Sequence, residues 1–292
     1  MSSPFDGKVV AITGAGKGLG RAYALHFAEL GASVVVNNRR HEGEAVSSAD
    51  RVVNEITKTG GSAVTEYSSV EDPDAGDRLL ACALENFGRI DCLVANAGII
   101  ETRSFRKQTL QSLREVLEIN LVGTINVVHP IFRHMCEQHG GNIIVSTSSA
   151  GLFGEFGLPA YSASKAAVIG LMRSLNLEGA PKQVWVNAIA PYASTQMTAA
   201  HLSDGINSRL DPDHVAPVVT WLASCAFGGE ILIAGGGRVA RARMQTTGAM
   251  PLAEGCSQAL QTLQTAEANL DFDSAGSNFQ AFIVGLDAQD GD

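Results

Sequence analysis

Long apolar runs are missing from this chain of 292 residues. None reaches the length of about 18 that a membrane-spanning helix needs, so no span is expected. A basic block is missing too. Lys and Arg total 21 against 30 Asp and Glu, a net charge of −9, and they are scattered. That argues against nucleic acid as a partner. The five cysteines (Cys82, Cys92, Cys136, Cys225 and Cys256) form no CxxC. Reduced, mostly buried thiols of an intracellular protein fit that spacing. His129, His134 and His139 have no accompanying carboxylate cluster, so no metal site is expected. The opening "MSSPFDGKVVAITGAG" enters a strand at once and lacks the build of a secretory leader. The cytoplasm is the expected location.

What is present is an alternation. Short β-rich apolar runs stand at 8–13, 33–38, 91–98, 141–149, 183–191 and 229–237. Helical spacing lies between them, at 20–30, 48–60, 74–88, near 109–137, around Tyr161 and near 212–225. Most strands are apolar on both faces, which marks a parallel sheet covered by helices on both sides. The expectation is an α/β fold with a doubly wound, mostly parallel sheet: a single Rossmann-fold domain over 1–240. Residues 241–292 are richer in Gln, Ala, Thr and Ser, with one helical candidate at 257–270. They read as an extension that packs on the body or on a partner subunit.

The first strand runs into "TGAGKGLG", residues 13–20. Gly14, Gly18 and Gly20 let the backbone turn sharply and approach a pyrophosphate, and the following helix points its N–H groups and dipole at that anion. The position between a buried strand and a helix makes the pattern more than a glycine-rich turn. "ANAG" closes a later strand, where open parallel sheets bind ligands, so Asn96, Ala97 and Gly98 are placed along the same groove.

"LPAYSASKAAV" (158–168) poses a separate question, because it sets Tyr161 and Lys165 four apart in a helix of small residues. Positions i and i+4 share a face. An ammonium beside a phenol favours phenolate, and such a phenol can exchange a proton with a hydroxyl or carbonyl near neutral pH. Ser148, at a strand end, could hold the same substrate oxygen. Asn120, in "EINLVG" within a long helix, could anchor a water leading to Lys165. Each residue alone also serves ordinary packing, with a lysine passing its ring. Their joint order behind a dinucleotide loop points to chemistry.

Together "TGAGKGLG", "NAG", "EINLVG", Ser148, "YSASK" and "NAIAP" resemble the short-chain dehydrogenase/reductase family over residues 6–240. The resemblance implies a nicotinamide cofactor and a catalytic tetrad of Asn120, Ser148, Tyr161 and Lys165, with Lys165 also holding the nicotinamide ribose. It implies cofactor contacts at Lys17, Leu19, Ser69, Val70 and Pro191, and a homodimer or homotetramer. Further stretches, among them "FGEFGLPAYSASK" and "NAIAPYASTQMT", are similar to the (3R)-hydroxyacyl-CoA dehydrogenase parts of peroxisomal β-oxidation enzymes. That narrows the expected substrate to a 3-hydroxyacyl-CoA and its ketone. A carbonyl reductase for a steroid, terpene or xenobiotic ketone is the alternative enzyme. An inactive Rossmann-fold binding protein is the alternative of another class. No hydratase or sterol-carrier stretch follows in this sequence, and no peroxisomal targeting tripeptide closes it, so the redox step alone is expected.

Two details bear on the ligands. Where those relatives carry an acidic residue after the second strand, this chain reads "VVVNNRR". Asn38 no longer repels a 2′-phosphate and Arg39 could pair with one, so NADP(H) is favoured and NAD(H) is the alternative. Glu42 and Glu44 follow and could oppose the phosphate. Phe153, Phe156, Tyr192 and Met197 flank the catalytic motifs and are the expected pocket walls. Arg103, Arg106 and Lys107 are expected at the mouth, where cations could hold the phosphates of coenzyme A.

Overall fold

The computed structural model describes residues 3–41, 43–196, 204–249, 261–263 and 265–283. Met197 and Glu42 lie outside them, as do 257–260 and 264 of the helical candidate at 257–270. Contacts divide the chain into two compact units, 1–241 and 242–292.

The first unit is built on a sheet of eight strands. They are β1 (Val9–Ile12), β2 (Ser33–Asn37), β3 (Ser62–Glu66), β4 (Cys92–Ala95), β5 (Gly141–Ser146), β6 (Val184–Pro191), β7 (Ile231–Gly235) and β8 (Arg238–Ala242), in the order β3-β2-β1-β4-β5-β6-β7-β8. The pairings among β1 to β7 are all parallel. Every residue of β1 and β4 is buried. Four residues are too few to hold an isolated strand. Each buried Val, Leu or Ile here contributes about 1.5–3 kcal/mol by leaving water, so tertiary burial holds these strands in place. Strand β1 has β2 on one side (Val10↔Val34) and β4 on the other (Val10↔Cys92). The winding reverses there, and the loops after β1 and β4 part to leave a crevice.

Helices follow the strands: α1 (Gly18–Glu29), α2 (Ser48–Lys58), α3 (Ala75–Phe87), α4 (Leu110–Leu117), α5 (Gly123–Glu137), α6 (Ser149–Phe153), α7 (Pro159–Gly179), α8 (Asp204–Asn207) and α9 (Ala216–Ser224). Local signals account for several boundaries. The Ser47 hydroxyl accepts from Asp50 N at the head of α2. Gly88 ends α3 in the left-handed region, at φ 76°.

The structure differs from the sequence expectation at four places. Strand β3 carries no apolar run, because it lies at the sheet edge with both faces only half covered. Strand β8, at the other edge, is mostly exposed and equally silent in sequence. The stretch near 109–137 is not one α-helix: α4 and α5 are joined by a π-helical turn, Glu118–Val122. Ser148 does not end a strand either. Strand β5 stops at Ser146, and Ser148 is the N-cap of α6, accepting from Ala150 N at 3.1 Å.

In the second unit, β9 (Gln245–Thr246) pairs antiparallel with β10 (Leu270–Asp271). A helix follows at Ala275–Ile283, its first turn capped by the Ser274 hydroxyl, which accepts from Ser277 N.

Candidate active site

The crevice beside β1 holds a cleft of about 290 Å³. Gly14, Lys17, Gly18, Leu19, Asn38, Arg39, Ser69, Val70, Asn96, Ala97 and Gly98 all line it, as the sequence motifs require of a dinucleotide site. Gly14 and Gly18 have φ of 64° and 52°, where a side chain is strained. A Cβ on Gly14 would stand 3.0 Å from the Ala97 backbone, and one on Gly20 would collide with the Gly14 carbonyl. No side chain caps α1, so the donors of its first turn are left for an anion. Bare glycine backbone and an uncapped helix start fit a pyrophosphate.

Residues that the motifs did not single out complete the cleft. The Thr13 hydroxyl accepts from the N–H groups of Asn96 and Ala97, both at 3.0 Å, and so ties the turn after β4 to the glycine loop. Thr195 and Glu71 also line it. Thr13 opens the glycine motif itself. Glu71 had no sequence signal, because its role depends on what the fold sets opposite it.

Behind the cleft stand the four polar residues. Gly98 joins the two regions: a Cβ there would lie 3.0 Å from Asn120 Oδ1 and 3.6 Å from Lys165 Nζ. Asn120 is fully buried in the π-turn. Its Oδ1 accepts from Ile99 N at 2.8 Å, and its Nδ2 donates to Ile99 O at 2.9 Å and Ser164 Oγ at 3.2 Å. The side chain locks the loop after β4 to α7. Lys165 is 5% exposed, and its ammonium donates to the Ser146 carbonyl at 2.8 Å. Burial pulls its pKa down to about 8.

Tyr161 and Lys165 share one face of α7, with Nζ 5.8 Å from the ring centroid. Burial raises the Tyr161 pKa above its ordinary value, and a hydrogen bond with Ser148 opposes the rise. The expected lowering by Lys165 is not seen in the protein alone, where lost hydration sets the direction of the shift. Helix α6 brings Ser148 to Tyr161 by lying directly on α7: a Cβ on Gly151 would be 2.7 Å from the Lys165 carbonyl carbon. Among the remaining expected residues, Pro191 ends β6 and lies outside the cleft lining. Phe153, Phe156 and Tyr192 are 77%, 90% and 48% exposed. They stand open to solvent. The loop with Arg103 is joined to the segment between Ser148 and Tyr161, since Arg103 N donates to Gly157 O at 2.8 Å.

A glycine-lined cleft on a parallel sheet, with a buried lysine and a half-buried tyrosine behind it, defines an oxidoreductase of the dinucleotide-binding class. The chain belongs to the short-chain dehydrogenase family, whose model matches residues 8–205, and it is NAD(P)-dependent. It is 42% identical to the peroxisomal multifunctional enzyme type 2 of Mus musculus over 255 residues, which cover 85% of this chain and 34% of that enzyme. It is 36% identical over 224 residues to a 3-oxoacyl-[acyl-carrier-protein] reductase of Synechocystis, covering 74% of this chain and 89% of that one. The solved full-length peroxisomal multifunctional enzyme type 2 of Drosophila melanogaster matches with a TM-score of 0.80 at 32% identity, over 98% of this chain and 50% of that one. This chain therefore spans about a third to a half of the multifunctional enzymes that it resembles. No described helix is long and apolar enough to cross a membrane.

Proposed function

We propose that this protein interconverts a 3-hydroxyacyl thioester and its 3-oxoacyl form, with Tyr161 as the acid/base. The observation that carries the reading is Tyr161 on one face of α7 with buried Lys165, Nζ 5.8 Å from its ring centroid and reached from the cleft across Gly98. Ser148 holds the substrate oxygen. Tyr161 takes the hydroxyl proton in oxidation or returns it in reduction. Lys165 holds the nicotinamide ribose and its charge favours the phenolate. A dinucleotide held in the cleft would supply the hydride acceptor or donor. Asn120 acts as a positioning residue that fixes α7 against the loop after β4.

The likeness to a 3-oxoacyl carrier-protein reductase supports an acyl thioester as substrate. So do the cations at Arg103, Arg106 and Lys107, on a loop bonded to the catalytic segment. Arg39 in the cleft supports NADP(H) over NAD(H). The test is NAD(P)H consumption with a 3-oxoacyl-CoA set against free ketones of similar size. Turnover of the thioester at a higher kcat/KM is the expected result. Preference for the free ketone would replace this reading with a carbonyl reductase.

A further inference from the structure

The sequence offered Glu42 and Glu44 as the carboxylates that could oppose a 2′-phosphate. Glu44 is turned toward Arg51 at 3.6 Å instead. A different carboxylate faces the position. Glu71, from the loop after β3, lines the cleft together with Arg39, and its Oε2 lies 3.3 Å from Arg39 Nη1. The same oxygen accepts from the Ser69 hydroxyl at 3.0 Å.

The two partners are held differently. Glu71 is fixed from behind: Asn126 on α5 donates to Val70 O at 3.1 Å, and a Cβ on Gly123 would strike Val70. Arg39 follows the last residues of β2 on a long side chain that is 51% exposed. Its neighbour Arg40 is stacked on the Tyr67 ring at 4.1 Å and so belongs to another contact. Asn38 is committed as well. Its Nδ2 donates to the Arg39 carbonyl at 3.0 Å and to Ser48 Oγ at 2.9 Å. A carbonyl can only accept, which fixes the amide and turns Oδ1, an acceptor, the other way. An acceptor suits a ribose hydroxyl and gives nothing to a phosphate.

We infer that Glu71 sets the cofactor preference by competing with the 2′-phosphate of NADP(H) for Arg39. This rests on the assignment of Arg39 to the phosphate. A bound 2′-phosphate must draw Arg39 off the carboxylate and then sit near that carboxylate's charge. NADH pays neither cost, because its ribose hydroxyl can use Asn38 Oδ1 while the Arg39–Glu71 pair stays closed. The site accordingly takes both dinucleotides, and Glu71 holds the NADP(H) preference below what Arg39 alone would give.

Glu71→Gln keeps the shape and the acceptor for Ser69 and removes only the charge. Calorimetric titration of the full-length protein with NADPH, NADH, adenosine 2′,5′-bisphosphate and adenosine 5′-monophosphate reads the effect without turnover. The pair is exposed, so the gain is modest: NADPH and the bisphosphate should bind about threefold to tenfold tighter to Glu71→Gln. NADH and the monophosphate should stay within about twofold, and adding Arg39→Ala should abolish the gain. Unchanged NADPH affinity in Glu71→Gln overturns the inference. So does a gain that survives Arg39→Ala, or a loss of NADH binding, which would make Glu71 a ribose ligand. The two readings fail separately. If Arg39→Ala weakens NADPH while Glu71→Gln changes nothing, only the competition is lost. If Arg39→Ala has no effect on NADPH, the phosphate assignment falls first.

Discussion

Gly18 and Phe156 stand for two ways of building a site. The dinucleotide side of the cleft is made of backbone: Gly14, Gly18 and Gly20, the open start of α1, and the turn 96–98 tied down by Thr13. That backbone is preset for a pyrophosphate, whereas Arg39 is paired with Glu71. The proposed substrate side is made of side chains on loops and on the end of α6. Phe153, Phe156 and Tyr192 project into solvent, and the cations of the 101–107 loop are exposed. Between the two lie Lys165, which is buried, and Ser148 and Tyr161, which are half-buried. A ligand common to many reactions can be met by a preset backbone, whereas a particular substrate is met by what the loops present.

The largest expected effect lies on the boundary. Tyr161→Phe keeps the ring and removes the transferable proton, so kcat should fall by about 10²–10⁴-fold. Dinucleotide affinity, measured by titration, should stay near wild type, because the cleft is lined without Tyr161. Near-normal turnover would end the assignment of Tyr161 and blur the division drawn here.

Gly151→Val tests whether the boundary depends on backbone contact. The added carbons meet the Lys165 backbone, where a Cβ alone would be 2.7 Å away. Forcing α6 off α7 should cost about 1–3 kcal/mol of stability, read as a lower Tm. It should also lower kcat more than it weakens cofactor binding, since Ser148 rides on α6. Equal losses in both would mean that the catalytic and cofactor sides are one mechanical unit.

Lys165→Met should abolish most turnover and yet stabilise the fold. The folded pKa of about 8 lies below the ordinary lysine value, so the unfolded chain binds the proton more tightly. The cost of burying the charge is fully present below pH 8. It fades as pH rises through the window from there to the ordinary value. At neutral pH the methionine variant should gain up to about 3 kcal/mol, less the lost bond to Ser146 O. Its advantage in Tm should shrink toward pH 10. A lower Tm at neutral pH would show that the Ser146 contact outweighs desolvation.

The same division explains what could be read from sequence. Buried strands β1, β2, β4, β5 and β6 are continuous apolar runs, and the glycine loop and the Tyr161–Lys165 spacing are local patterns. Both kinds of signal survive without a fold. The edge strands β3 and β8 left no trace, because an edge is covered on too few sides to demand apolar residues. The Asn120 side chain was legible as a polar residue in a helix. Its engagement by Ile99 and the π-turn that carries it were not, since a helical pattern does not show an extra residue in a turn. Glu71 was invisible for a further reason: only the crossing from β2 to the loop after β3 sets it against Arg39.

The smallest expected effect tests the substrate side directly. Arg103 is already partly answered by Glu101, 3.6 Å away, which is itself bound by Gln108. Arg106 and Lys107, in a short 3-10 turn, are exposed. If this loop holds the phosphates of a thioester carrier, these two charges, with no ion pair among the described residues, should contribute most. Exposed pairs are each worth no more than about 1 kcal/mol, so Arg106→Gln with Lys107→Gln should raise KM for an acyl-CoA by about threefold to tenfold. Arg103→Gln should do less, because its loss also frees Glu101. The effect should fade as ionic strength rises, since screening acts within about 10 Å at 0.1 M salt. KM for a small neutral ketone should not move. Equal changes for both substrates, or no dependence on salt, would remove the carrier phosphates from this loop.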